Sequence, residues 1–436
     1  MSSATDRTHD PALRSWVESA NRDDAEFPIQ NLPFGVFQRR QGRAAVGVAI
    51  GDQVLSLPAC AGLGLLGDDL AAMGELSADD SLNALMAKGR PFARALRHAL
   101  VDLLGEGNAA AARRASDLLA PMADVELLLP VRIGDYSDFY ASVHHATNVG
   151  SMFRPDNPLL PNYKYVPIGY HGRASSMVVS GTPVRRPSGQ TRDDAAAPPA
   201  FGPSRRLDYE LEVGAYVGVG NDMGAPVPLE RAEEHLWGVS LVNDWSARDI
   251  QSWEYQPLGP FLAKSFATTV SPWVVTLDAL APFRIPLASR AAGDPDPLPY
   301  LSTQDNQRFG GIDLTLEVWL RSAAMRTRGD SALLVSRGRF ADMYWTLAQM
   351  LTHHASNGCN LRTGDLIASG TVSGAAKESR GCLLERAWRG TEPIELPTGE
   401  RRAFLADGDE VSLRGYAERS GWRRIGLGEC VGVVAG

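Results

Sequence analysis

Long apolar runs are missing from this 436-residue sequence. No stretch approaches the roughly 20 residues that a membrane-spanning helix needs. A basic excess is missing too. With 43 Lys and Arg against 51 Asp and Glu the formal charge is −8, which gives neither nucleic acid nor an anionic membrane an electrostatic reason to bind. Cysteine is scarce. Cys60, Cys359, Cys382 and Cys430 are widely spaced and form no CxxC pair, so they read as reduced thiols and point to the cytoplasm. The opening residues, MSSATDRTHDPALRS, hold no apolar core for a signal peptide and are too acidic for a transit peptide. HExxH and GxSxG are absent as well, which removes the signatures of zincins and of nucleophile-elbow hydrolases.

What is present reads as two units, within what this length allows. Residues 1–30 are polar and are expected to fray or to pack as an extended arm. Short β-type runs follow at 35–38, 45–50 and 53–57, the last two joined by Gly51-Asp52, a pair suited to a two-residue hairpin. The spacing of Phe92, Leu96, Leu100 and Leu103 predicts a helix over 91–104, opened by Pro91 and stopped by Gly105. Residues 109–120 read as a connector, closing a small mixed domain over 1–123. From Val125 onward β-type runs recur at 176–180, 207–219, 236–242, 273–277, 312–320, 365–369 and 410–416, with Pro- and Gly-rich joints between them. One helix is expected over 343–356. The whole is a mostly β (α+β) chain rather than an alternating βα array.

Three stretches could carry chemistry. In the first, Leu207, Tyr209, Leu211 and Val213 alternate with Asp208, Glu210 and Glu212, so that in one strand the acids share a face. Carboxylates at i and i+2 suit a hard cation, and the same alternation also describes a solvated sheet face. The chain runs on into 215–219, apolar on both faces, and acids entering a buried strand need a partner. In the second, steps of four, three and four join Asp244, Arg248, Gln251 and Tyr255, one face of a predicted helix with the acid at its positive end. That face is either a ligand and donor set or a polar exterior. In the third, Asp138 and His145 are seven apart, two helical turns. Imidazole is the usual general base near neutrality, although a lone histidine is more often structural. Gly62, Gly64 and Gly67 match GxGxxG, but no further βα units follow, and the glycines read as an apolar loop.

Longer strings spread over the chain resemble the fumarylacetoacetase family, in family order. They are FPIQNLPFGVF (27–37), GDYSDFY (134–140), HATNVGSMFR (145–154), GYHGRASS (169–176), LDYELE (207–212), NDWSARDIQSWEYQPLGPFLAKSF (243–266), LTHHASNGCNLRTGDL (351–366), ASGTVSG (368–374) and DGDEV (407–411). The resemblance implies an SH3-like N-terminal domain over 1–123 and a larger C-terminal β-roll domain over 124–436, assembled as a homodimer. It implies Ca²⁺ or Mg²⁺ held by Asp138, Glu210, Glu212 and Asp244, with Lys264 and Thr268 where the family has a second, structural cation. It makes His145 the general base, oriented by Glu385, and Arg248, Gln251 and Lys264 the oxyanion donors. Tyr140, Arg154, Tyr170, Gln251, Tyr255 and Thr371 become substrate contacts. The activity implied is hydrolysis of the carbon–carbon bond of a small diketo acid, 4-fumarylacetoacetate, to fumarate and acetoacetate. A second histidine, His144, beside the expected base is a departure from the family's pattern.

Overall fold

A computed structural model describes residues 5–40, 42–193 and 196–436. Strands Phe34–Arg39, Ala44–Ile50 and Gln53–Ser56 stand where the short runs predict them. The last two form a hairpin in which Ile50 faces Gln53. Gly51 turns it at φ 58°, a left-handed value that glycine takes without a Cβ penalty. Two strands complete this sheet, in the order Leu119–Pro121, Gln53–Ser56, Ala44–Ile50, Phe34–Arg39, Val125–Leu128. The stretch read as a connector therefore does more than connect. It coils into the turns Ala109–Ala112 and Ala115–Leu118 and then supplies the edge strand Leu119–Pro121. Val125–Leu128, beyond the expected division at 123/124, pairs with Phe34–Arg39. The predicted helix spans Gly89–Leu104 and buries Leu96, Leu100 and Leu103. Its Arg97, also buried, donates to Thr8 Oγ1 and to the Asn31 carbonyl, each at 2.9 Å. That bond set pins the N-terminal arm instead of letting it fray. The GxGxxG segment is no nucleotide cradle: helix Leu57–Gly62 ends on its first glycine, and only the short turns Asp68–Leu70 and Met73–Leu76 follow directly.

Among the described residues, the rest of the chain builds two large sheets and four two-stranded ones. The larger runs Gly169–His171, Tyr136–Phe139, Leu366–Ala368, Leu211–Val217, Leu236–Asp244, Thr268–Val270, Met177–Val179, with Val275–Thr276 paired to Leu236–Asp244 off that path. The second runs Leu333–Arg339, Thr315–Arg321, Glu410–Ala417, Ile425–Ala435, Val184–Arg185. Every residue of Leu211–Val217 and Leu236–Asp244 is buried, because the central strands are covered on both faces. On one side Tyr216, Trp237, Val242 and Leu366 share a core with Phe34 and Leu96 of the N-terminal unit. On the other, Val213, Ala215 and Leu241 pack with Leu316, Val318 and Leu413 of the second sheet. The helix expected over 343–356 starts only at Leu347, since Thr346 forms a capping box with Gln349 and leaves 343–345 outside. The architecture is mixed α+β with curled sheets. Among the described residues no helix is long and apolar enough to cross a membrane, and all four cysteines are free.

Candidate active site

Strand register, not helical spacing, brings the acids together. Glu212 pairs with Val242, and Asp244, two residues on, pairs with Thr268. Gly214 pairs with Ala368, Ala368 with Asp138, and Asp138 with Tyr170. Since partners across a ladder share a face and residues two apart along a strand do too, Asp138, Tyr170, Glu212, Asp244 and Thr268 project from one side of the large sheet. Glu210 joins them from the break just before Leu211–Val217, where its amide donates to Asn243 Oδ1 at 3.1 Å. One oxygen from each of Asp138, Glu210, Glu212 and Asp244 lies within 4.8 Å of all the others, and all four side chains are buried.

Three local expectations are corrected by this geometry. Asp138 sits on strand Tyr136–Phe139 and not on the helix of His145, which begins at Val143 behind its N-cap Ser142. Asp244 ends a strand, and the helix carrying Arg248 and Gln251 starts four residues later, as Arg248–Glu254. The run of three acids is not one face, because Tyr209 and Glu210 interrupt the strand between Leu207–Asp208 and Leu211–Val217. Asp208 therefore leaves the cluster. The residue types pointed to side chains that the structure brings together, while the periods assumed for them do not hold.

The cluster's charge is incompletely answered from within. Lys264 Nζ donates to Glu210 Oε2 and, at 2.5 Å, to Asp244 Oδ2. Thr268 Oγ1 reaches Asp244 Oδ1 at 2.9 Å and the Tyr170 hydroxyl reaches Asp244 Oδ2 at 3.2 Å. Arg248 Nη1 lies 2.7 Å from Glu210 Oε1. Burial would raise the Glu210 carboxyl, but the Lys264 and Arg248 charges hold it down, to about 2. Glu212 is the opposite case: burial, with Asp138 and Asp244 beside it, pushes it well above the carboxylate range. Both Glu212 oxygens and Asp138 Oδ1 are buried without a hydrogen-bond partner. Ionised together, the four carboxylates would carry at least two negative charges more than Lys264 and Arg248 answer, and all the open ligand atoms are oxygens. That donor set fits a hard divalent ion. The Lys264 ammonium has no lone pair to give, so a second cation at Lys264 and Thr268 would need the Lys264 main-chain carbonyl.

Beside the acids lies a hydrogen-bonded dyad. His145 Nδ1 is 2.6 Å from Glu385 Oε2, and Glu385 also accepts from Ser373 Oγ and Asn148 Nδ2, each at 2.8 Å, and from Cys382 Sγ at 3.2 Å. Burial opposes the charge on Glu385, yet His145 and these donors hold its carboxyl down to about 2. With Nδ1 as the donor, His145 Nε2 carries the lone pair that can take a proton. The Tyr140 ring stands edge-on to His145 at 5.2 Å. Arg248 gives Nε to Asp208 Oδ2 at 2.9 Å and Nη1 to Gln251 Oε1 at 3.1 Å. Its Nη2 is buried without a partner, as is the Thr371 hydroxyl. Arg154 and Tyr255 are the C-terminal caps of helices Val143–Phe153 and Arg248–Glu254. His145, not His144, meets Glu385. Sequence reasoning missed Asn148, Ser373 and Cys382, and grouped Asp208 with the acids of one strand face. Asn148 was within reach, three residues after His145 on a helix, whereas Ser373 and Cys382 are placed by tertiary contacts alone.

The comparisons with known proteins agree along the chain. The fumarylacetoacetase N-terminal model matches residues 30–130, and the fumarylacetoacetate (FAA) hydrolase C-terminal model matches 136–435. The fumarylacetoacetases of Bos taurus and Homo sapiens are each 49 % identical, over 420 and 418 residues, covering 94 % of this chain and 97 % of theirs. That of Caenorhabditis elegans is 49 % identical over 430 residues, covering 97 % of this chain and 99 % of its own. Among solved structures, the fumarylacetoacetate hydrolase of Exiguobacterium antarcticum is similar in fold, with a TM-score of 0.51 at 18 % identity over 93 % of this chain and 99 % of that one.

Proposed function

This chain belongs to the fumarylacetoacetate hydrolase family, and from that premise we propose that it hydrolyses 4-fumarylacetoacetate to fumarate and acetoacetate, the last step of tyrosine and phenylalanine breakdown. The observation that carries the reading is a buried His145–Glu385 dyad set beside four converging carboxylates and an open Arg248 donor. Asp138, Glu210, Glu212 and Asp244 would hold Ca²⁺ or Mg²⁺, which supplies a Lewis acid for the oxygens of a 1,3-diketone and for the enolate charge that cleavage creates.

The chain's own residues do the rest. His145 Nε2 takes a proton from water, and Glu385 supports the imidazolium that forms. The water oxygen adds to the carbonyl carbon of the fumaryl group itself, the one joined to its double bond, and negative charge gathers on that carbonyl oxygen. Arg248, through Nη2, with Lys264 and Gln251, donates to that oxygen. As the carbonyl re-forms, the carbon–carbon bond breaks and its electron pair leaves with acetoacetate as an enolate, which then takes up a proton. Tyr140, Arg154, Tyr170, Gln251, Tyr255 and Thr371 are assigned to hold the substrate, the open Thr371 hydroxyl and the Tyr170 hydroxyl near Asp244 being the support for two of them. Lys264 and Thr268 are assigned to a second, structural cation beside Asp244. We read the N-terminal sheet as SH3-like, the C-terminal sheets as a β-roll, the enzyme as a homodimer, and its place as the cytoplasm, where free thiols persist.

The test is turnover of 4-fumarylacetoacetate by the purified chain, with and without EDTA. Release of fumarate and acetoacetate that stops with chelation and returns with Ca²⁺ or Mg²⁺ is expected. Turnover only of an acylpyruvate, or decarboxylation of an oxo acid, moves the chain to a related activity. Divalent-ion binding with no turnover of any of these makes it a binding protein.

A further inference from the structure

We infer that Asp208 is a positioning residue of this reaction, its single carboxylate fixing both the Arg248 guanidinium and the turn that carries Glu385. The inference rests on the hydrolase reading above. Asp208 is fully buried and its acceptor capacity is filled. Oδ1 accepts from the amides of Tyr209 and Leu383, each at 2.8 Å, and Oδ2 accepts from the Leu384 amide and Arg248 Nε, each at 2.9 Å. The neighbouring acids contrast with it, because Glu212 and Asp138 keep buried oxygens open and so can take a ligand. A carboxylate with four donors is closed to ligands. What remains for it is to hold those donors in place.

Each arm ends on a group the chemistry needs. A guanidinium is a rigid planar fork, so fixing Nε on Asp208 and Nη1 on Glu210 and Gln251 sets the plane and the direction of Nη2. The other arm holds the short helix Leu383–Arg386, whose own N-cap Cys382 makes no side-chain cap bond. Its first amides rely on Asp208 instead, and its third residue is Glu385, the partner of His145. One carboxylate thus ties the oxyanion donor and the base's support to a common point, so that both move together or neither moves. A displacement of about 1 Å in such groups is enough to cost about 10²-fold in rate.

The experiment is a double-mutant cycle with Asp208→Asn and Arg248→Met, read by kcat and KM on 4-fumarylacetoacetate, by calorimetric Ca²⁺ affinity and by circular dichroism. Asp208→Asn keeps the shape but turns one acceptor into a donor that faces other donors. Expected is a kcat loss of about 10²-fold or more, with KM within about threefold and Ca²⁺ affinity unchanged. In the Arg248→Met background the same change should cost no more than about tenfold, since one of its two targets is already gone. An active wild type with equal losses in both backgrounds, with kcat within about threefold, or with the loss confined to KM or Ca²⁺ affinity overturns the inference alone. A wild type inactive on 4-fumarylacetoacetate overturns the hydrolase reading and the inference with it. Should the Asn variant not fold, Asp208→Glu, which retains charge and acceptors but displaces them, goes through the same cycle with the same outcomes decisive.

Discussion

Glu385→Gln tests the dyad at its weakest point, because the amide is the size of the carboxylate and opposite to it in hydrogen-bonding sense on one side. In the wild type one carboxylate serves four donors, from His145, Ser373, Cys382 and Asn148. A glutamine offers one oxygen and one NH₂. Turned one way, the NH₂ faces Asn148 Nδ2. Turned the other, it faces His145 Nδ1 and forces the proton onto Nε2, the tautomer that cannot accept from water. Either orientation leaves buried donors unmet, at about 1–3 kcal/mol each. The catalytic loss should be about 10²- to 10⁴-fold in kcat, the range a positioned base supplies. A second readout follows from charge. The folded carboxyl lies at about 2, below its ordinary 4.5. A depressed carboxyl stabilises the fold above the unfolded value and loses that contribution as pH falls from 4.5 toward 2. At neutral pH that contribution is about 3 kcal/mol. The stability difference between wild type and Glu385→Gln in chemical denaturation should therefore shrink as the pH drops through that window. A Gln variant with kcat within about threefold of wild type, and a pH-independent stability difference, refutes both the dyad and the charge assigned to it.

Glu212→Gln should separate two measurements. Without divalent ion, burial and the neighbouring acids already favour a neutral Glu212 whose oxygens have no partner, so the amide leaves the melting temperature nearly unchanged, whereas the rise that Ca²⁺ produces in wild type should be largely lost. An unchanged Ca²⁺ response shows that Glu212 is not a ligand. His145→Ala should lower kcat by about 10²- to 10⁴-fold with Ca²⁺ binding retained, and His144→Ala by far less; the reverse order in steady-state kinetics sinks the assignment. Arg248→Met should cost about 2.7–4 kcal/mol of transition-state stabilisation, seen as a fall in kcat. A rise in KM at constant kcat makes Arg248 a ground-state binder.

The elements whose periodicity matches their burial are legible in the sequence. Leu96, Leu100 and Leu103 mark a helix one turn apart, and 45–50 and 53–57 mark a hairpin because Gly51 can take a positive φ. Leu119–Pro121 was not legible. Three residues are too few to show a period, and the strand exists because Gln53–Ser56 offers it an open edge. The start of the helix at Leu347 was fixed by a side chain, Thr346, whose bond to the Gln349 amide outweighs the apolar run before it. At the site, acid spacing identified Glu210, Glu212 and Asp244 while misplacing two of the elements that carry Asp138 and Asp244. Both errors come from assuming that one local period continues across a strand end.

That error has a physical source which also explains the site. Ladder positions in a sheet bring residues from distant segments onto one face, and neither helical nor strand periodicity within a single segment can report it. Asp138, Glu212 and Asp244 meet because four strands are in register through Ala368, Gly214 and Val242, residues with no chemistry of their own. A one-residue slip of Leu211–Val217 against Leu236–Asp244 would send Glu212 to the face now packed against Leu316 and Val318, burying a charge among aliphatic side chains. The apolar alternation that forbids this slip thereby fixes the cation-binding face. The residues that specify the core, Val213, Ala215 and Leu241 among them, also specify where the four carboxylates converge.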